Sequence, residues 1–200
     1  MPIAGVLETV DSPLFDTLSI PLGFLGADRA KMFLQPIGVM APDPGGGGLR
    51  PKLWTETNMT LGGELPVPQR FVVRAIRAAL FWRRGGLVSV TEKFYSGVEL
   101  ALIIGMKPYF RAPLWHVADP SAVIANSGAQ LFYSFDKEQR AEFIRSLRRQ
   151  FEPDLHPVIE AGQPFHVELY FDDERFGWHR IDAPGSLVVL LEGEMGRAVL

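Results

Sequence analysis

The residue types best suited to chemistry lie in Phe165–Phe171, near the C-terminal end of the sequence. There the segment FHVELYF alternates apolar with polar side chains, as in a strand with one buried and one wet face. The alternation puts His166 and Glu168 side by side on the wet face. An imidazole and a carboxylate at this spacing suit two ligands of a metal ion, with His179 or His156 as the third. The alternative interpretation is a solvated strand face that binds nothing.

The rest of the sequence offers no catalytic motif. It has no cysteine, so thiolate nucleophiles, disulfides and zinc–thiolate sites are excluded. Neither a G-x-S-x-G nucleophile motif nor a phosphate-binding glycine motif occurs, since Gly45–Gly48 lacks the lysine that would follow. The acidic run Asp172–Glu174 is a turn, with a calcium site as its alternative. We therefore expect no catalytic, metal or cofactor site and no enzyme activity.

A basic cluster occupies the middle of the chain. Its members are Arg70, Arg74, Arg77, Arg83 and Arg84. Such a cluster can contact nucleic acid or anionic lipid. It can equally be a solvated face, or a subunit interface with acidic partners. The whole chain carries a net charge of −3, which gives no further support for binding nucleic acid.

The segment that contains this cluster, Phe71–Trp82, is ambiguous between helix and strand. As a helix it places Arg70, Arg74, Arg77 and Arg84 on one face. As a strand it has two apolar faces, one interrupted by Arg77 and the other by Arg74. Its phenylalanine, valine and isoleucine residues favour the strand, whereas its Ala-Ala-Leu sequence and arginine spacing favour the helix. The residues alone leave both structures open.

Composition and turn signals predict a single all-β domain over residues 1–200. The sequence is 47% hydrophobic and holds 20 glycines and 16 prolines, which suits many short elements. We predict an antiparallel jelly-roll sandwich with a flexible glycine-rich loop at residues 42–53 and one inserted helix, Asp136–Gln150. The other predicted strands are Leu14–Leu18, Lys31–Val39, Leu87–Val90, Val98–Ile104, Lys107–Pro113, Gln130–Phe135, Phe165–Phe171, Ser186–Leu191 and Arg197–Leu200.

Several short motifs follow one another in a familiar order. They are Leu14-Phe15-Asp16-Thr17, Glu56-Thr57-Asn58-Met59, Leu65-Pro66-Val67-Pro68-Gln69-Arg70-Phe71, Ile104-Gly105-Met106-Lys107-Pro108-Tyr109 and Ala161-Gly162-Gln163-Pro164-Phe165. In this order they resemble jelly-roll major capsid proteins of small bacterial viruses and virus-like elements. The resemblance implies that the segment after Leu65–Gln69 is a sheet strand and that the protein has no active site.

The resemblance also implies function and partners. A capsid protein assembles with copies of itself into the virion shell after synthesis in the host cytoplasm. Further partners would be a penton or minor capsid protein, and an internal membrane or the packaged genome through the five arginines. The alternatives are a metal-dependent enzyme or carbohydrate-binding module that uses His166 and Glu168, and a phage tail or spike module.

The sequence also predicts neither a signal peptide nor a transmembrane segment. The first fifteen residues lack a basic region and include Glu8 and Asp11. The longest apolar run, Leu100–Met106, is far shorter than the ~20 residues that a membrane-spanning helix needs.

Overall fold

A computed structural model describes residues 7–21, 29–43, 48–82, 94, 97–118, 149–152, 155–171 and 184–198. In these ranges the chain is mainly β-structure. The helical residues are the short 3-10 helix Leu114–Val117, together with Phe94 and Gly97. The strands, in chain order, are β1 (Leu7–Asp11), β2 (Leu14–Ile20), β3 (Arg29–Met32), β4 (Met40–Pro42), β5 (Leu49–Pro51), β6 (Arg70–Trp82), β7 (Val98–Ile104), β8 (Lys107–Pro113), β9 (Arg149–Gln150), β10 (Val158–Ile159), β11 (Phe165–Phe171) and β12 (Gly185–Ala198).

These strands form two main sheets and a separate hairpin. In the first sheet, β1 and β2 both pair with β12, which pairs with β6, and β6 pairs with β9 and β10. The second sheet has the order β3-β11-β7-β8, and β4 pairs with β5 alone. Every pairing between these strands is antiparallel. The prediction of an antiparallel all-β protein is therefore confirmed.

One hydrophobic core joins the inner faces of the two sheets. Leu187 and Val189 of the first sheet share it with Leu100 and Val167 of the second, and all four side chains are fully buried. Burying an aliphatic side chain of this kind stabilises the fold by about 1.5–3 kcal/mol. The two sheets are therefore the layers of a β-sandwich.

The ambiguous segment Phe71–Trp82 is a strand and not a helix, because it belongs to β6. A β-bulge explains its sequence pattern. The register against β12 skips Arg74, because Val73 and Ala75 lie opposite the adjacent residues Gly193 and Glu192. One extra residue reverses the alternation of side chains along a strand. The long side chains that face the core are accordingly Phe71 and Val73 before the bulge, and Ile76 and Leu80 after it.

The bulge also explains why two arginines interrupt opposite faces of the sequence pattern. Arg74 and Arg77 are three residues apart, which would place them on opposite faces of a regular strand. Because Arg74 is itself the extra residue at the bulge, both side chains leave the core, Arg74 exposed and Arg77 half-buried. The inner face of β6 is therefore apolar along its described length.

Gly193 allows β12 to approach β6 at the bulge. A Cβ atom there would stand 1.9 Å from the carbonyl oxygen of Val72 and 3.0 Å from the ring of Phe71. The sequence predicted two strands, Ser186–Leu191 and Arg197–Leu200, on either side of Gly193 and Gly196. That separation is wrong, because β12 is continuous through them and the glycine serves a close backbone approach.

Strand β3 is shorter than predicted. A strand over Lys31–Val39 is wrong beyond Met32, because Phe33 has a φ of +70° and leaves the extended conformation. A positive φ is unfavourable for a bulky residue. Here the N–H of Phe33 donates to Oδ2 of Asp16 at 2.6 Å, and its side chain is fully buried. These two interactions hold the turn that ends the strand.

The predicted helix Asp136–Gln150 is wrong at its C-terminal end. Arg149–Gln150 is strand β9 and pairs with β6. Helix propensity is a weak preference that pairing with a neighbouring strand overrides. Residues 136–148 lie outside the described part of the chain, and so do the predicted strands Leu87–Val90 and Gln130–Phe135.

The glycine-rich loop predicted over residues 42–53 is wrong in part. Pro42 ends β4 and Leu49–Pro51 is β5, so both ends of the segment belong to a two-stranded hairpin. Gly48, just before β5, has a φ of +106°, which glycine adopts without strain. Residues 44–47 lie outside the described ranges.

The close approach at Gly193 predicts a large effect of a small substitution. Gly193→Ala should reduce the free energy of unfolding by about 3 kcal/mol or more, at the top of the range for overpacking, because backbone would have to move. Urea denaturation measures this loss. Gly196→Ala is the matched control, since a Cβ there would have no neighbour nearer than 3.7 Å. Equal denaturation midpoints for the two variants would contradict the argument.

Candidate functional site

The outer face of the second sheet holds the predicted pair His166 and Glu168. Glu168 is only 5% exposed, so this part of β11 is drier than its sequence pattern indicates. Its Oε2 accepts a hydrogen bond from the hydroxyl of Tyr170 at 2.6 Å, and its Oε1 lies 3.9 Å from a guanidinium nitrogen of Arg29. Both carboxylate oxygens are thus engaged by neighbouring side chains.

The ring of Tyr170 lies close to two guanidinium groups. The Cζ atoms of Arg29 and Arg111 are 5.1 and 4.7 Å from its centroid, within the range of cation–π attraction. Arg111 also donates from Nε to Oε2 of Glu99 at 2.8 Å. The hydrogen bond to Glu168, followed by burial, raises the pKa of Tyr170. This face is a network of charged and aromatic contacts across all four strands of the sheet.

His166 lies beside this network in an environment that disfavours its charged form. Its Nε2 is buried, and no described residue hydrogen-bonds to it. Burial of the ring and then the positive charge of Lys31 lower the pKa of His166, with a smaller opposing effect from Glu168. The neutral imidazole is therefore favoured near neutral pH.

The structure brings two of the proposed metal ligands together but supplies no third from the described residues. No group of three or more His, Asp or Glu side chains in that part of the chain could hold a metal ion. The Nε2 atom of His156 is instead 3.2 Å from the carbonyl oxygen of Phe151. His179 and Asp172–Glu174 lie outside the described residues.

Three arginines of the basic cluster face carboxylates of their own chain on the outer face of the first sheet. Arg83 and Arg84 lie outside the described ranges. The pairs are Arg70 with Glu160 (3.2 Å), Arg74 with Glu194, and Arg77 with Glu192 (2.7 Å). Exposed ion pairs contribute only about 0–1 kcal/mol each to stability. Their larger effect here is that this part of the cluster carries no net positive charge.

A buried ion pair that sequence reasoning missed lies where β2 meets the β4–β5 hairpin. Oδ1 of Asp16 is 2.5 Å from Nζ of Lys52, and the residues are 2% and 5% exposed. Oδ2 of the same carboxylate accepts the N–H of Phe33. One feature of the sequence could have revealed this pair. Asp16 lies two positions after Leu14 in a predicted strand, and therefore on the same, core-facing side.

A second ion-pair network fixes the hairpin beside this pair. Arg50 donates from Nη1 to Oε2 of Glu56 at 2.7 Å, and its Nε lies 3.3 Å from Oδ1 of Asp43. The same Glu56 oxygen accepts the N–H of Leu53 at 2.9 Å. These bonds, above all the one from Arg50, lower the pKa of Glu56, and the Glu56 carboxylate raises the pKa of Arg50.

Asn58 ties the following turn to β2. Its side-chain amide accepts the N–H of Phe15 at 2.9 Å and donates to the carbonyl oxygen of Pro13 at 2.6 Å. The Glu56–Met59 and Leu14–Thr17 motifs of the sequence are thus adjacent in space, joined further by a bridge between Asp16 and Thr57. Their role in these contacts is structural.

Two open clefts adjoin these features. The first cleft has a volume of about 380 Å³ and lies at the bulge, between the outer face of β6 and the residues that connect β1 to β2. Its lining includes Asp11, Ser12, Arg74 and Glu192. Arg74 already pairs with Glu194 there. A second, of about 240 Å³, adjoins the Asn58 turn. Neither of them contains a nucleophile paired with a base.

Comparison with known proteins gives no identification. No protein-family model, curated protein or solved structure matches the chain. Across the described ranges, no helix has the length and apolar character required to cross a membrane.

Breaking the buried ion pair should destabilise the fold strongly. Asp16→Asn or Lys52→Met alone should cost about 3–5 kcal/mol of unfolding free energy, because each leaves an uncompensated buried charge. The double variant should lose less than the sum of the two. A double-mutant cycle by urea denaturation measures the coupling. Strictly additive losses would show that the charges do not depend on each other.

The lowered pKa of His166 predicts a pH dependence of stability. Below the ordinary value of 6.5 the unfolded chain takes up the proton more readily than the folded protein, so stability is present above 6.5 and falls as the pH drops towards the folded pKa. His166→Gln should flatten the stability curve in that window. His116→Gln, at an exposed histidine, is the control. An unchanged pH profile in His166→Gln would refute the assignment.

Proposed function

We propose that the chain is a jelly-roll structural subunit of a viral shell. The strand order is the observation that carries this proposal. If β1 with β2 and β9 with β10 each count as one interrupted strand, and the hairpin is set aside, the described parts of the two sheets contain eight strands. Numbered along the chain, the first sheet has the order 1-8-3-6 and the second the order 2-7-4-5.

This order is that of a single long hairpin rolled into a sandwich. Strands 1, 2, 3 and 4 pair with strands 8, 7, 6 and 5, as the two arms of one hairpin would. Rolling the hairpin adds the contacts 8·3 and 7·4, and both occur, as β12·β6 and β11·β7. Rolled antiparallel sandwiches of this kind include viral capsid and lectin domains.

The fold alone does not choose among these functions, because one architecture hosts many. The surface favours a structural role. In the described residues no metal-ligand group accompanies the His166/Glu168 pair. Large apolar side chains are instead exposed in quantity, as an association surface requires. Partners of such a subunit are further copies of itself, together with a penton or minor capsid protein.

Contact with a packaged genome or an internal membrane is a weaker part of the proposal. Arg70, Arg74 and Arg77 already face carboxylates, so they offer little net charge to a phosphate. Such a contact would therefore depend on Arg83 and Arg84.

Electron microscopy of the purified chain, with light scattering, tests the proposal. We expect closed symmetric particles whose contacts each bury more than about 1,000 Å². A threefold fibre would indicate a tail or spike module instead. A monomer that binds stoichiometric metal, and loses it in His166→Ala, would replace the shell subunit with the metal-dependent alternative.

A further inference from the structure

The β4–β5 hairpin has its polarity inverted. Paired residues of an antiparallel hairpin share a face, and successive residues alternate between faces. The inner face of this hairpin, towards the body of the protein, carries Ala41 and the charged Arg50. The outer face carries apolar side chains, and Leu53 continues it beyond β5. This apolar hairpin face consists of Met40, Pro42, Leu49, Pro51 and Leu53, all exposed to solvent.

The inversion is fixed by the ion pairs beneath it. Arg50 is held by Glu56 and Asp43, and Lys52, two residues later, is buried against Asp16. Because successive side chains of a strand alternate between its two faces, Leu49, Pro51 and Leu53 then point outwards. Leu49 is 66% exposed and Leu53 is 50% exposed as a result. In an isolated protein this arrangement secures the hairpin from beneath but leaves two leucines largely in water.

The exposed apolar residues are also concentrated here. Of fourteen large hydrophobic side chains exposed in the described ranges, eight belong to the segment 34–61 that contains the hairpin. At on the order of 100 Å² for each such side chain when fully exposed, the eight half-exposed side chains of this segment present about 400–500 Å². Three of them, Met40, Leu49 and Leu53, belong to the outer face of the hairpin and its continuation, and they contribute about 150–200 Å². One partner of a standard interface presents somewhat over half of about 800 Å² as apolar surface, so a contact centred on the hairpin also draws on its neighbours in the segment.

We propose that the apolar hairpin face docks against the same face of a second copy of this chain. A lipid surface is disfavoured, because membrane-binding faces surround their apolar residues with outward lysine and arginine, whereas Arg50 and Lys52 point inwards. The other six exposed apolar side chains are scattered through the described chain between Val67 and Leu155. A two-fold contact needs no second complementary patch, since one face covers its own copy.

This inference names one contact between subunits of the proposed shell. The contact itself can exist without a shell, and only its place in a larger assembly rests on the proposed function. Sedimentation of the full chain over a range of concentrations tests it. Leu49→Glu should weaken self-association at least tenfold, because it buries a carboxylate in an apolar contact. Met106→Glu is the matched control, at a fully exposed residue in the β7–β8 turn, and should leave association unchanged.

Single-cysteine variants give a second measurement that does not require a disruptive charge. The chain has no cysteine, so Leu49→Cys and Met106→Cys each introduce one thiol. In the associated protein we expect maleimide to label Leu49→Cys at least tenfold more slowly than Met106→Cys, and at equal rates after dilution. If Leu49→Glu fails to fold, this protection decides the question. Equal labelling in the associated protein would overturn the inference.

The outcomes separate this contact from the shell. Closed particles that persist in Leu49→Glu would leave the shell proposal standing and overturn the hairpin contact. A dimer without particles, converted to monomer by Leu49→Glu, would support the contact and remove the shell. A wild-type chain that stays monomeric at about 100 μM, far above the dissociation constant of a stable interface, would overturn both.

Discussion

Asp16 and Lys52 must remain paired if this side of the sandwich is to keep its shape, because water reaches neither charge. A buried carboxylate or ammonium alone costs several kcal/mol, and the pair recovers that cost only while its geometry holds. Three separate parts of the chain meet at the Asp16 carboxylate: β2, the turn at Phe33 and the strand end at Lys52. This contact, together with the Arg50 network beside it, fixes the position of the hairpin.

The consequences of the pair extend outwards in sequence. Because Phe33 donates its N–H to Asp16, β3 ends there and the chain turns towards the hairpin. Because Lys52 points inwards, its neighbours point outwards, and the Arg50 network keeps β5 from rotating. Stability and surface character are therefore coupled here, since the residues that secure the hairpin also determine that its solvent face is apolar.

Much of the fold could be predicted from periodicity. Strands β7, β8 and β11 have the predicted bounds, because each is a short run between clear turn signals. Boundaries failed where distant contacts decide the backbone, as at Phe33 and at Arg149–Gln150. In β6 the local residues were ambiguous because one extra residue shifts the alternation, and the residue that reveals it, Gly193, lies in another strand. His166 and Glu168 lie on the outer face of β11, as the alternation predicts. Glu168 is buried there in part by Arg29, which belongs to β3, a strand that is distant in the sequence.

The first sheet carries three interruptions at the same level. One lies along the outer edge of β6, where the partner strand breaks between β9 and β10 opposite Val73 and Arg74. On one side of β12, the pairing breaks between β1 and β2. On the other side, the bulge in β6 leaves Arg74 without a partner residue in the pairing. These last two breaks lie beside Glu192 and Gly193 of β12. The regular pairing of the sheet is thus interrupted along a line that crosses all of its described strands. A β-bulge increases the local twist of its strand, so the two halves of the sheet on either side of this line differ in orientation by more than regular pairing would give.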